Sequence, residues 1–337
     1  MKRSPLYVLA LAVAIGPLAA MVACGEDKPE PQTANNVTSN SVTAMPTPMP
    51  TPTPTVSETA TTPPPPPAPP VAVDDMQASP DPKPMPAIKI LAPGNELSVG
   101  DAAKAKDYAI RLDIKNWELG KDGQHVHLIL DGNEYKKITD AKAPLKLGEL
   151  PGGDALAEGQ HYLIAFPSRG THESVKGKGA ASFVTFWVGK KAKDKTVYDG
   201  KKKVLIYSRP KGMNAGDMGK NLLLDFYLHG TTLSDGDGDK VRYTITGTGI
   251  DKPVTGEFTT WTPKIVHNLQ KGEFDVKLEL LDKAGAVSDL AWNTTTRHVK
   301  VDPDAPNDPN MGMAPGMPMP MGSSSAAPST SGSAKSK

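Results

Sequence analysis

The stretch Leu269-Gln270-Lys271-Gly272-Glu273-Phe274-Asp275-Val276-Lys277-Leu278-Glu279-Leu280 decides the fold of this chain. From Phe274 onward, apolar side chains alternate with charged ones, which is the period-two pattern of a strand with one face in a core. The sequence Asp282-Lys283-Ala284-Gly285 follows and has the composition of a turn. This region is therefore predicted to be a half-buried β-strand that ends in a tight turn.

A similar pattern lies about 115 residues earlier, where Leu156–Leu163 matches Leu269–Val276. Other strand-like runs recur at the same spacing, with turn signals between them. A period this long indicates two all-β sandwiches, because solenoid repeats are shorter. The matching runs are 88–94 with 204–210, 110–114 with 222–226, and 124–132 with 239–247.

The repeated pattern and its turn resemble the E–F corner, strand F and F–G turn of immunoglobulin-like and fibronectin type III-like modules. The resemblance covers roughly 88–302 and implies two tandem immunoglobulin-like β-sandwiches, at 87–190 and 203–302. His161 stands where such modules often have a corner tyrosine. The lysine-rich segment between the halves is predicted to be a linker.

The N-terminus has the order of a secretory signal: Lys2 and Arg3, then an apolar run, then small residues before Cys24. Met21-Val22-Ala23-Cys24 resembles the lipobox of bacterial lipoproteins. This resemblance implies a signal peptide over 1–23 and palmitate-type acylation of Cys24, which would hold the mature protein on a lipid bilayer. In a diderm host, the absence of an aspartate after Cys24 favours the outer membrane of the cell envelope.

Two segments have compositions that do not build a core. Residues 24–86 are rich in proline and threonine, and residues 303–337 are rich in methionine, proline and serine. Both are predicted to be disordered, the first as a tether. Cys24 is the only cysteine, so the mature chain has none for disulfides or thiol catalysis. A net charge of +1 is close to balanced, so we expect no nucleic-acid partner.

Three histidines of the first half form a candidate metal site. His125, His127 and His172 carry imidazoles, which suit zinc and copper. Alternation puts His125 and His127 on one strand face, and the matching positions of the second half are polar. We therefore expect these two side chains to face solvent. His161 matches an inward-facing position far from His172, which favours a packed corner residue.

Two further metal motifs are weaker. Five thioethers in the tail are soft ligands that select Cu(I), and spaced methionines resemble segments of some periplasmic copper proteins. The acidic run that contains Asp235, Asp237 and Asp239 resembles the start of a calcium loop, but the twelfth position is Thr246 rather than glutamate. The tail thioethers belong to Met311, Met313, Met317, Met319 and Met321.

The sequence contains no nucleophile elbow, phosphate loop, zincin motif or dinucleotide fingerprint. We therefore expect a non-enzymatic lipoprotein that presents binding or scaffolding modules to an extracellular or envelope protein or a glycan. On this hypothesis no cofactor is needed. The alternative is a periplasmic or surface lipoprotein that binds copper or zinc through the histidines and the methionine tail.

Overall fold

The structure, a computed structural model, describes residues 68–234, 236–308 and 312. The predicted signal peptide, Cys24, the first part of the tether, Asp235 and the five tail methionines lie outside these residues. None of the helices in the described part of the chain has the length and hydrophobicity needed to cross a bilayer.

An ordered strand lies inside the segment that was predicted to be a disordered tether. Strand β1 (Ala72–Asp75) pairs antiparallel with Lys264–His267 of the second sandwich. Val73 packs against the core of that sandwich, and the Met76 amide donates to the Pro263 carbonyl at 3.0 Å. The boundary predicted at residue 86 is therefore wrong: a few apolar residues suffice to pair when a partner strand offers a free edge.

The first sandwich packs a two-stranded sheet against a five-stranded sheet with the order β3-β8-β7-β5-β6. Its core contains Ile88, Val126, Leu128, Leu163 and Phe186. Its elements are β2 (Ala87–Ala92), β3 (Leu97–Ser98), α1 (Ala102–Ala105), β4 (Arg111–Lys115), β5 (His125–Leu130), β6 (Lys136–Ile138), β7 (Gly159–Ser168) and β8 (Ser182–Val188).

The second sandwich packs the four-stranded sheet β1-β14-β11-β9 against the five-stranded sheet β10-β16-β15-β12-β13. The predicted strand around Phe274–Leu280 is β15, and its apolar side chains are buried in the core. The elements are β9 (Val204–Arg209), β10 (Met213–Ala215), α2 (Gly216–Lys220), β11 (Leu222–His229), β12 (Lys240–Gly247), β13 (Val254–Phe258), β14 (Lys264–His267), β15 (Gly272–Leu281) and β16 (Thr294–Asp302).

The five-stranded sheets of the two halves share one topology. In each five-stranded sheet, a short edge strand runs parallel to its neighbour, and the other pairs are antiparallel. Each half also has a short helix after its first long strand. The all-β tandem sandwich predicted from the repeat is therefore confirmed. Single 3₁₀ turns lie at Lys121–Gly123, Leu147–Glu149, Lys193–Lys195 and Ala291–Asn293.

The two sandwiches are in direct contact through an apolar interface. The outer faces of β5 and β7 meet the outer faces of β9 and β11 in a third core, separate from the cores inside the sandwiches. The lysine-rich segment joins this core through Tyr198, which is buried, so it is not a plain linker. The main members are Ile129, Tyr135, Tyr162, Ile164, Phe166, Tyr198, Val204, Ile206, Tyr227 and Leu290.

Arg297 of β16 ties this interface together. Its buried guanidinium donates to the Gly132 and Asn133 carbonyls of the first sandwich at 3.2 and 2.7 Å. It also donates to the Tyr207 and Ser208 carbonyls of β9 at 2.9 and 3.0 Å. Because an unpaired buried carbonyl costs about 1–3 kcal/mol, the two bonds to Gly132 and Asn133, which cross between the sandwiches, help to hold the sandwiches together.

Candidate metal centre

Three imidazole nitrogens from the first sandwich meet inside the interface. His125 and His127 lie on the outer face of β5, and His172 lies in the loop after β7. His125 Nε2 is 2.9 Å from His127 Nε2 and 3.1 Å from His172 Nδ1. The third edge, from His172 Nδ1 to His127 Nε2, is 3.4 Å. The nitrogens thus form a nearly equilateral triangle.

Burial of this triangle is almost complete. His125 and His127 have no exposed surface, and His172 is 2% exposed. The expectation that His125 and His127 face solvent is wrong. Alternation correctly put both on one face with Ile129, but the second sandwich covers that face. The equivalent face of β12 in the second half carries polar side chains that stay partly exposed.

Hydrogen bonds at the far ring nitrogens fix how the imidazoles point. His125 Nδ1 lies 2.7 Å from the Gly123 carbonyl, which can only accept, so this nitrogen carries the proton. His125 Nε2 therefore turns a lone pair to the centre. His127 Nδ1 lies 3.0 Å from the Ser208 hydroxyl of β9, in the second sandwich. Such outer partners are what hold histidine ligands at metal sites.

Electrostatics keep His125 and His127 neutral. Burial, opposed by the hydrogen bond to the Gly123 carbonyl and assisted by nearby Lys137, Arg209 and Lys211, lowers the pKa of His125 from 6.5 to about 4. Burial likewise holds the pKa of His127 well below 6.5, with His125 and His172 adding to the effect. Neutral imidazole is the form that binds metals, so the triangle is ready for an ion at neutral pH.

Three more residues border the triangle, and the sequence analysis missed all of them. The Tyr135 hydroxyl is 3.2 Å from His172 Nδ1, and its ring stacks on His127 with centroids 3.5 Å apart. Arg209 donates to that hydroxyl at 3.2 Å. Ser208 and Arg209 come from β9, so their proximity follows from sandwich docking, for which no local sequence signal exists.

His161 does not join the site, as predicted. Its Nδ1 lies 2.5 Å from Asp131, its Nε2 lies 2.8 Å from the Ala157 carbonyl, and its ring stacks on Phe186. These contacts raise its pKa despite burial, chiefly through Asp131. His161 is therefore a half-buried corner residue of the first sandwich.

One residue of the tail lies beside the triangle. A side-chain carbon at Gly312 would lie 2.5 Å from the Gly170 carbonyl oxygen and 3.1 Å from His172 Nε2, and Gly312 has φ of 83°. Glycine is thus required for such close approach. The chain at this point reaches the edge of the triangle. Its neighbours Met311 and Met313, like Met317, Met319 and Met321, lie outside the described residues.

At the acidic run, Asp239 has protein partners. Its carboxylate pairs with Lys203 Nζ at 2.7 Å and accepts from the Thr231 hydroxyl. Asp237 is exposed, and Asp235 lies outside the described residues. Calcium binding here stays a prediction.

No family model and no curated protein matches this chain. Among solved structures, fibronectin(III)-like modules of CbhA from Clostridium thermocellum share 15% identity, with a TM-score of 0.22 over 64% of this chain and 94% of theirs. The FN1-FN3 domains of chicken CNTN1 share 12%, with a TM-score of 0.20 over 62% and 68%. The tandem sandwich described above rests on strand topology, not on these similarities.

Because buried His125 is neutral in the folded state, we expect acid to destabilise the metal-free protein. A pKa near 4 in the folded state and 6.5 in the unfolded state means that the unfolded chain binds more protons between those values. The stability from neutral His125 is complete above about pH 6.5 and is lost as the pH falls. From about pH 7.5 to about pH 5, we expect His125 alone to lower the free energy of unfolding by roughly 2 kcal/mol.

Urea unfolding of chelator-treated protein measures this slope. His125→Gln should reduce it, because the substituted side chain does not titrate. Exposed His298 provides the matched control. The His298→Gln variant should still lose free energy of unfolding as the pH falls. Equal stability at both pH values in the unsubstituted protein would contradict the assignment of neutral buried histidines.

Proposed function

We propose that this protein is a non-enzymatic cell-envelope lipoprotein that binds one copper or zinc ion at His125, His127 and His172. The observation that carries the proposal is the convergence of three imidazole nitrogens at the buried interface of the two sandwiches. Of the two functions that the sequence left open, metal binding is the one for which the structure offers an assembled site.

The dimensions of the triangle suit such an ion. Edges of 2.9, 3.1 and 3.4 Å put each nitrogen about 1.8 Å from the centre of the triangle. An ion bonded at about 2.0–2.1 Å would therefore lie about 1 Å above the plane of the nitrogens. That leaves a fourth position on one side, as in tetrahedral His₃ sites.

The chemistry of the ligands limits which metal ions can bind. Imidazole nitrogen favours zinc and copper over magnesium or calcium, which prefer oxygen. No carboxylate in the described ranges joins the cluster. Thioethers of Met311 and Met313 adjoin Gly312 in sequence and would add soft ligands for Cu(I), and the same role is proposed for Met317, Met319 and Met321.

The envelope location rests on the sequence. Acylation of Cys24, followed by the proline-rich tether, would hold the head at a lipid bilayer, and in a diderm host we place it at the outer membrane.

Presentation of the sandwiches to an extracellular protein or glycan remains a second proposal. It is favoured by a groove of about 440 Å³ between the sandwiches, lined in part by Phe183, His229 and Trp261. Aromatic rings are suited to binding apolar ligand faces.

Metal analysis of the full chain tests the metal proposal. Protein purified in detergent and exposed to Zn(II) or Cu(II), then dialysed, should retain one ion per chain by elemental mass spectrometry. His125→Asn and His127→Gln together should abolish retention, because one imidazole cannot hold the ion alone. His161→Gln, at the corner of the same sandwich, is the control and should retain it. An unsubstituted chain that retains neither metal would refute the proposed function.

Substitution at Cys24 tests the anchor. Cys24→Ser should move the protein from the detergent-soluble membrane fraction to the soluble extract, because acyl chains are the proposed attachment. The head should keep its β-type circular dichroism, since the described sandwiches begin more than 40 residues later. Retention on membranes after a high-salt wash would contradict lipidation.

A further inference from the structure

Resting on the proposed function, we propose that the Tyr135 oxygen is the fourth ligand of the ion, with Arg209 of the second sandwich holding that oxygen in place. The site would then be His₃Tyr, and would select a divalent ion.

The Tyr135 oxygen lies at a ligand's distance from one of the three histidines. Its hydroxyl is 3.2 Å from His172 Nδ1, which falls within the 2.9–3.4 Å range of the nitrogen triangle. Ligands bonded at about 2.0–2.1 Å to a tetrahedral ion lie about 3.3 Å apart. The ring is also fixed: it stacks on His127 at an interplanar angle of 11°, and the residue is 3% exposed.

The charges around the site require an anionic ligand. Three neutral imidazoles leave the full charge of a divalent ion uncompensated. Arg209 is fully buried and donates to Tyr135 and Asn214, and none of the described carboxylates forms an ion pair with it. Lys211 Nζ lies 4.1 Å from the Tyr135 ring centroid. Lys211 also pairs with Glu134 at 3.9 Å, so the buried Arg209 is the cation that would strongly repel a divalent ion in this interface.

Tyr135 is the group at the triangle that can relieve this repulsion. On binding, an oxygen–metal bond forms and the phenol O–H bond breaks, with its proton passing to solvent buffer. No electron is transferred. A bound phenolate reduces the ion's charge by one and gives the Arg209 guanidinium an anionic acceptor, which strengthens that hydrogen bond. The second sandwich thus takes part in the site, although all three histidines belong to the first.

Copper spectroscopy on the full chain tests this assignment. Unsubstituted protein loaded with Cu(II) should show a visible phenolate-to-copper charge-transfer band. Tyr135→Phe should lose the band and bind Cu(II) about 10–100-fold more weakly, while the three imidazoles still bind the ion. Tyr207→Phe is the matched control: this tyrosine is also buried near Arg209, but its hydroxyl has no hydrogen-bond partner among the described residues. It should keep both the band and the affinity.

Several outcomes would overturn the inference while leaving metal binding intact. One is a copper-loaded protein with no band; another is Tyr135→Phe with unchanged band and affinity. Binding confined to Cu(I), and lost on Met311→Leu with Met313→Leu, would also overturn it in favour of thioether ligands. Loss of all metal binding in the unsubstituted chain would instead refute the proposed function.

A second measurement needs no variant, and so decides the matter if Tyr135→Phe does not fold. Zn(II) titration of the unsubstituted chain, followed by near-ultraviolet difference spectroscopy, should show one tyrosinate formed per ion bound. Zinc binding with no tyrosinate signal would overturn the assignment.

Discussion

The structure depends on the burial of one sheet face, the outer side of β5 and β7, against β9 and β11. Apolar residues such as Ile129, Ile164 and Val204 supply the driving force for this contact. Once it forms, every polar group on the face loses water and needs a partner. Arg297 meets that need for backbone carbonyls. The histidines meet it by converging on one another and on Ser208, which turns a packing constraint into a candidate metal site.

This constraint explains why the first sandwich differs from the second. Both have the same strand order, yet β5 is buried on both faces whereas β12 is buried on one. A strand covered on both sides normally carries only apolar residues. His125 and His127 depart from that pattern, and departures of this kind are expected at functional or strained sites.

The sequence analysis predicted the fold and part of the site. Alternation from Phe274 to Leu280 identified a strand, and the repeat identified two sandwiches, because both signals are local or nearly so. The same repeat led to the wrong prediction that His125 and His127 face solvent. A comparison of the two halves shows which positions correspond, but it does not show which surfaces of the halves contact each other. Tyr135 and Arg209 were missed for the same reason: docking of the two sandwiches brings them together.

The central claim is that the sandwich interface holds a metal ion at the histidine triangle. Anomalous diffraction from crystals of the zinc- or copper-loaded full chain, measured at the metal's absorption edge, tests it most directly. We expect one peak about 2.0–2.1 Å from His125 Nε2, His127 Nε2 and His172 Nδ1. A loaded crystal with no peak at these nitrogens, or with its ion bound elsewhere on the chain, would contradict it.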